Sequence, residues 1–244
     1  MLALGMFQSP IKSWTKAKSS PVSDADIAVD RLLHERLTAW RSDFGWLSEE
    51  SADDNARLAA RFVWIVDPID GTRAYLAGLP DWAVSAALVE NGRPVAACLY
   101  APVTDEMFIA STHNGATRNG AAMAVAQGNV LADTRIAGPK GLLERIAAFA
   151  PPFAIEPHVH SLALRFARVA QGTIDVAIAG ADSHDWDLAA ADLLVHEAGG
   201  LLTSFAGRAV IYNQLVPRHG MLVACGLDRH ATMIELLGDE RLAP

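Results

Sequence analysis

Two cysteines in 244 residues, no cluster of basic residues, and no apolar run approaching the ~20 residues that cross a bilayer: these shortages exclude several kinds of protein. Cys98 and Cys225 each lie inside an apolar run, AACLY and LVACG, and read as two buried thiols rather than a disulfide or a metal pair. Lys and Arg number 20 against 28 acids, giving a net charge of −8 and a pI near 5.4. The basic residues are scattered, which argues against nucleic acid or an anionic membrane as partner. An anionic small substrate therefore needs cations from elsewhere, which points to metal ions. The N-terminus lacks a charged start, apolar centre and small-residue cleavage site, so a cytoplasmic protein is expected. MLALGMF reads as the last turns of a helix begun earlier, and a truncated or late-assigned start is expected there. Repeats, low-complexity tracts and long linkers are also missing.

What is present is apolar: hydrophobic residues make up 51% of the chain, enough for one large core or two tightly joined halves. SDADIAVDRLLHERL reads as a helix, with Ser23 as cap, Asp26 at the capping-box position, and Val29, Leu32, Leu33 and Leu37 as a stripe facing a sheet. FGWLSEE and RFVWIVDP read as strands that deliver acids at their ends, the second with its pairing ended by Pro68. Two further strands flank Asn91-Gly92, a tight hairpin turn. Residues 1–128 thus form an antiparallel sheet with helices. In 129–244 the pattern is α/β, with strands at TRIAG, TIDVAIA, LLTSF and MLVACG. Helices are expected at GLLERIAAFA, SLALRFARVA, DWDLAAADLLVHEAGG and HATMIELL. With no breaker-rich linker between them, the halves are expected to share a cleft.

Asp67 and Asp70 stand three apart across a turn containing Pro68. Neighbouring carboxylates in a partly dry site are costly unless cations compensate, and Mg²⁺ is a hard ion suited to carboxylate, carbonyl and phosphate oxygens. Gly71 allows close backbone approach, and a helix starting at Thr72 offers free N–H groups to a phosphate. Alone, DPIDGT is equally an ordinary capping turn. Asp26 is likewise open between capping and catalysis, and Asp187 is a common first-turn acid. Glu49 and Glu50 read equally as a solvated strand end, where Glu50 is left. Ala189, Ala190 and Ala191 are small residues for close packing, and Trp186 belongs to the core.

Taken in order, EES, DPIDGT and WDLAAADLLVHEAGG resemble the inositol monophosphatase family of Mg²⁺-dependent, Li⁺-sensitive phosphomonoesterases, from about Lys16 through the second half. The resemblance implies a layered α/β/α/β/α fold, a homodimer, a small phosphorylated substrate and a site between the halves. It also implies that Glu49, Asp67 and the Ile69 carbonyl hold one Mg²⁺ ion and Asp67, Asp70 and Asp187 a second, with two or three ions in all. Gly71 and Thr72 receive the phosphate. The K-x-S-P-V-S-x-A-D stretch places Asp26 where the family has an acid that works with the threonine to orient the attacking water. A pair of metals about 3.5–4 Å apart activates water and neutralises phosphate and leaving alkoxide, so no Ser, Cys or His nucleophile is required.

Departures concern substrate. The family's G-E-E is Ser48-Glu49-Glu50 here, and HSLAL at 160–164 replaces the usual Gly-Ser or Gly-Thr. Gly180 stands seven before Asp187, where inositol-specific members carry a sugar-binding Glu. Arg73-Ala74-Tyr75 after DPIDGT, and LYAPV, look more like the 3′(2′),5′-bisphosphate nucleotidase branch, so adenosine 3′,5′-bisphosphate is expected ahead of inositol monophosphate. Arg73, Ser161 and His184 are the expected substrate contacts, with His160 a weaker one. A haloacid dehalogenase-type phosphatase needs two Asp separated by one position, which Pro68 and Ile69 do not leave. A non-catalytic metal- or phosphate-binding relative would be marked by a lost ligand, and none of the four acids is lost.

Overall fold

Two-residue alternation is clearest in the strand Ala83–Glu90, which has one face on the core and one partly open, whereas Phe62–Asp70 is buried on both faces from Val63 onward. The structure, a computed structural model, describes residues 2–16, 21–53, 55–239 and 242; Lys18, Ser19 and Ser20 of the N-terminal motif lie outside them. The first half comprises α1 (Leu2–Met6), β1 (Ser13–Thr15), β2 (Pro21–Ser23), α2 (Asp24–Trp40), β3 (Gly45–Ser48), β4 (Phe62–Asp70) and α3 (Thr72–Leu76). It continues through β5 (Ala83–Glu90), β6 (Arg93–Ala101), β7 (Glu106–Ser111), β8 (Ala116–Arg118) and β9 (Ala121–Ala122). A seven-stranded sheet takes β3 to β9 in chain order. Asn91 and Gly92, with φ of 50° and 79°, close the expected hairpin between β5 and β6. The meander is antiparallel only from β4 onward, since β3 and β4 are parallel. The intervening segment, with a 3₁₀ turn at Ala56–Ala59, carries the chain back to the start of the sheet, so β4 runs in the same direction as β3.

The second half comprises β10 (Arg135–Ala137), α4 (Lys140–Ala147), β11 (Ala154–Ile155), α5 (Leu162–Ala170), β12 (Val176–Ala179) and β13 (Ser183–His184). It ends with α6 (Asp185–Glu197), β14 (Gly200–Ser204), β15 (Arg218–His219), β16 (Leu222–Gly226) and α7 (Leu227–Leu237). Its mixed five-stranded sheet has the order β11-β10-β12-β16-β14. α5 and α6 lie between the two sheets, where Ala189, Ala190 and Ala191 are no more than 1% exposed and let α6 approach closely. α1, α2 and α3 cover the outside of the first sheet, and α4 and α7 cover the second, giving α/β/α/β/α layers.

Three local expectations need correction. Cys98 is exposed, because β6 turns its neighbours Ala97 and Leu99 into the core and Cys98 to the opposite face; Cys225 is buried as expected. On α2 the buried positions are Ala25, Asp26, Val29 and Asp30, while Leu32 is 37% exposed, so the inward face is narrower and more polar than the leucine stripe implied. Glu50 is not a solvated strand end: its side chain is 1% exposed and pairs with Lys16.

Arg57 joins segments remote in sequence. Its Nε and Nη2 donate to Asp53 Oδ2 at 3.0 and 2.6 Å, and Nη1 donates to Asn213 Oδ1 at 2.7 Å and the Gln214 carbonyl at 3.1 Å. Arg57→Ala leaves these acceptors without their donor, a loss on the order of 3 kcal/mol, at the low end for a broken buried pair because Asp53 retains some water. Thermal denaturation should show Tm lower by roughly 10 °C.

Candidate active site

Residues three apart on a regular strand point to opposite faces, yet Asp67 and Asp70 share one site. The strand β4 supplies the reason. Asp67 pairs with Ser85 and Asp70 with Ala83, so one extra residue bulges out between them. Pro68, expected to end the pairing, sits inside this bulge, where its missing N–H costs no ladder bond, and β4 resumes to Asp70. The Ile69 N–H turns to Asp67 Oδ1 at 2.9 Å, and the Ile69 carbonyl accepts from the Thr72 hydroxyl at 3.0 Å. Gly71 follows with φ of 94°; a Cβ there would lie 3.2 Å from the Asp81 carbonyl oxygen and 3.3 Å from the Ser161 nitrogen.

α6 brings in the third acid. Asp187 occupies its first turn and accepts the His184 backbone N–H at 2.7 Å. The preceding Asp185, which sequence reasoning did not single out, anchors this end by accepting from the Asn213 N–H and by contacting His219 Nε2, each at 2.7 Å. Carboxylate oxygens of Asp67, Asp70 and Asp187 lie within 4.8 Å of one another. Glu49 lines the same cleft outside that tight trio, and Lys16 Nζ holds its carbonyl at 3.2 Å. Asp26 completes the capping box, taking the Ser23 N–H at 2.8 Å, and its other oxygen lies 3.1 Å from the Thr72 hydroxyl. Thr72 has one proton for two acceptors, Asp26 and Ile69, and keeps a lone pair for a further partner.

Electrostatically this floor is under-compensated. Burial, then the neighbouring Glu49, Asp70 and Asp187, hold the Asp67 carboxyl well above its ordinary range. Burial and then Asp70 do the same to Asp187. Burial also raises Asp70, against hydrogen bonds from Ser161, Ala163 and Leu162, and pushes Glu49 up to about 7. A hard divalent cation fits such a donor set: three converging carboxylates, with a fourth and a carbonyl on the same wall.

The cleft encloses about 530 Å³ and is lined by Glu49, Asp67, Ile69, Asp70, Gly71, Thr72, Arg73 and Asp187, with Pro21, His158 and His160 on the remaining wall. Ser161 is fully buried: its hydroxyl donates to Asp70 Oδ2 at 2.5 Å and accepts the Leu164 N–H, so it positions an acid and caps α5 where a substrate contact was expected. His184 does not itself line the cleft: its ring stacks on Trp186 at 4.6 Å, with Nδ1 3.9 Å from the lining Asp187 Oδ2. Sequence reasoning missed His158 and Asp81. The alternating His-Val-His was the one available signal, and nothing in LPDW marked Asp81.

A layered α/β protein with buried acids converging beside a glycine turn has the architecture of a phosphoric monoester hydrolase. The family model described as the inositol monophosphatase family matches residues 5–240, and the chain belongs to that family. It is 35% identical over 201 residues to the Nus factor SuhB of Xylella fastidiosa, covering 79% of this chain and 72% of the relative. It is 33% identical over 202 residues to an inositol-1-monophosphatase of Rhizobium meliloti, covering 79% and 75%. A 3′(2′),5′-bisphosphate nucleotidase matches at 29%, so the relatives do not favour the nucleotidase branch. The crystal structure of the suppressor protein SuhB from Bartonella henselae superposes with a TM-score of 0.82 at 30% identity, covering 94% of this chain and 89% of the other.

Proposed function

We propose that the protein hydrolyses a small phosphomonoester with Mg²⁺, and the observation that carries this is the convergence of Asp67, Asp70 and Asp187 within 4.8 Å. Glu49, Asp67 and the Ile69 carbonyl hold one ion and Asp67, Asp70 and Asp187 another, with two or three in the working enzyme. Bound there, the ions supply activation of water and neutralisation of charge on phosphate and leaving oxygen. Asp26 and Thr72 orient the attacking water, their 3.1 Å contact leaving the threonine oxygen able to take one more bond. The turn at Gly71 and Thr72 receives the phosphate. In this reading 1–128 and 129–244 are the two halves that bound the cleft.

The order of substrates, adenosine 3′,5′-bisphosphate before inositol monophosphate, draws its support from Arg73 on the cleft wall. The tyrosines that accompany it give none. Tyr75 donates to the Ala3 carbonyl in the core, and Tyr100 donates to Asp105. The homodimer draws support from exposed apolar side chains such as Trp40 at 72% and Leu215 at 67%; a monomer mass in sedimentation at micromolar concentration would remove it. Among the described residues no helix is long and apolar enough to cross a membrane.

The test is phosphate release by purified protein with Mg²⁺ from inositol phosphates, nucleoside bisphosphates and sugar phosphates. Turnover on at least one is expected. Silence on all would favour the second reading, a non-catalytic binding relative, which has in its favour that two similar proteins are named Nus factors.

A further inference from the structure

The cleft floor is made of acids, but its lining also carries two histidines, His158 and His160, held in a defined pose. Asp81 Oδ2 takes both the His160 backbone N–H at 2.7 Å and the ring Nδ1 at 2.6 Å, so main chain and side chain of one residue close on a single oxygen. The Asp81 carbonyl also accepts the Ser161 N–H at 3.2 Å, and Ser161 in turn holds Asp70. His158 packs edge-on against the His160 ring at 4.7 Å and 80°. The imidazole of His160 therefore cannot turn without breaking its bond to Asp81 and losing its buttress.

That pose assigns the ring its chemistry. A carboxylate only accepts, so Nδ1 carries the proton, and in the neutral imidazole Nε2 keeps a lone pair. A lone pair repels phosphate oxygens, which are acceptors themselves. Its complement is a donor on the other part of the ester, the alcohol. We propose that Asp81 and His160 form a leaving-group selector, in which His160 Nε2 accepts a hydrogen bond from a hydroxyl group of the substrate's alcohol, so that the site prefers polyol phosphates to esters of alcohols without a second hydroxyl. The inference rests on the phosphomonoesterase reading above and deepens it. His160 determines specificity, while Asp81 is a positioning residue acting through it. Burial, then Arg165, lower the pKa of the neighbouring His158, which favours a neutral buttress.

Glycerol 2-phosphate and isopropyl phosphate differ only in two hydroxyls and make the probe. With Mg²⁺ at pH 8, the wild type should favour glycerol 2-phosphate by about tenfold or more in kcat/KM, the discrimination expected of one well-placed hydrogen bond. His160→Ala should bring that ratio close to one, Asp81→Asn should lower it, and His160→Gln, which keeps an acceptor near the Nε2 position, should recover part of it. Independently of turnover, long-range ¹H–¹⁵N spectra of the metal-free protein should show Nδ1 protonated and Nε2 bare. A proton on Nε2, or an unchanged ratio in an active His160→Ala enzyme, overturns the selector and leaves the phosphatase reading standing. Wild-type protein that releases phosphate from neither ester, nor from the wider panel, overturns both.

Discussion

Asp67→Asn should lose at least about a hundredfold in Mg²⁺-dependent kcat/KM and yet melt several degrees higher than wild type when both are metal-free. Residues that merely orient metal ligands are worth roughly 10–100-fold, so Asp67, proposed above as a direct metal ligand, should exceed that range. The stability gain has a separate origin. Asp67 is 1% exposed, and burial together with Glu49, Asp70 and Asp187 disfavours its charge. Asparagine keeps the shape and an oxygen for the Ile69 N–H, now accepted at 2.9 Å, while removing one charge from the group. Function and stability thus pull in opposite directions at this position. Steady-state kinetics and thermal melts in EDTA check the two halves of the prediction. Full activity would remove Asp67 from the site, and a lower metal-free Tm would show that the acids are not in conflict.

How much of this was legible follows from what each element depends on. β5 and β6 could be read because alternation and Asn91-Gly92 are local signals, and α2 could be placed by its Ser23–Asp26 box. The face α2 buries could not, since Asp30 is held by Ser48 and Ser51 from another segment, at 2.5 and 2.6 Å. The acids Glu49, Asp67, Asp70 and Asp187 were named from motifs and their resemblance to a family, and a turn at Pro68 was expected to bring Asp67 and Asp70 to one side, but how they reach one face is not a property of the motif. That depends on the pairing of β4 with β5 and its extra residue. Ser161 shows the reverse limitation: a hydroxyl near a site reads as a substrate contact until its partner, Asp70, is seen. Asp81 was invisible because its role consists entirely of contacts with residues 71, 160 and 161. Lone charges in loops acquire meaning only from tertiary neighbours.

Metal-free protein should lose thermal stability as pH rises from about 5 to about 8, and Mg²⁺ should remove most of that slope. The sign follows from proton binding. Asp67 and Asp187 are held well above the ordinary carboxylate range, Asp70 is raised, and Glu49 is pushed to about 7, so as pH climbs past the ordinary carboxylate range the folded chain holds protons that the unfolded chain has released. The stability these groups contribute is complete below the unfolded carboxylate range and lost as pH climbs through the folded values, at about 1.4 kcal/mol per pH unit for each proton retained. Two histidines oppose the trend: burial lowers His158 and His230, which stabilises the fold as pH rises through the ordinary imidazole range. They are outnumbered by the acids. Glu106, depressed to about 2 mainly by its hydrogen bond to Arg168, titrates below the window and leaves it unaffected. Asp192, raised to about 7 by burial, lies outside the cleft and bonds to Tyr212 at 2.9 Å, so its share of the slope should survive Mg²⁺. Scanning fluorimetry across this pH range, in EDTA and in Mg²⁺, separates the two contributions. Parallel curves would place the titrating acids away from the metal, whereas curves that meet near pH 5 and diverge toward pH 8 locate them beneath it.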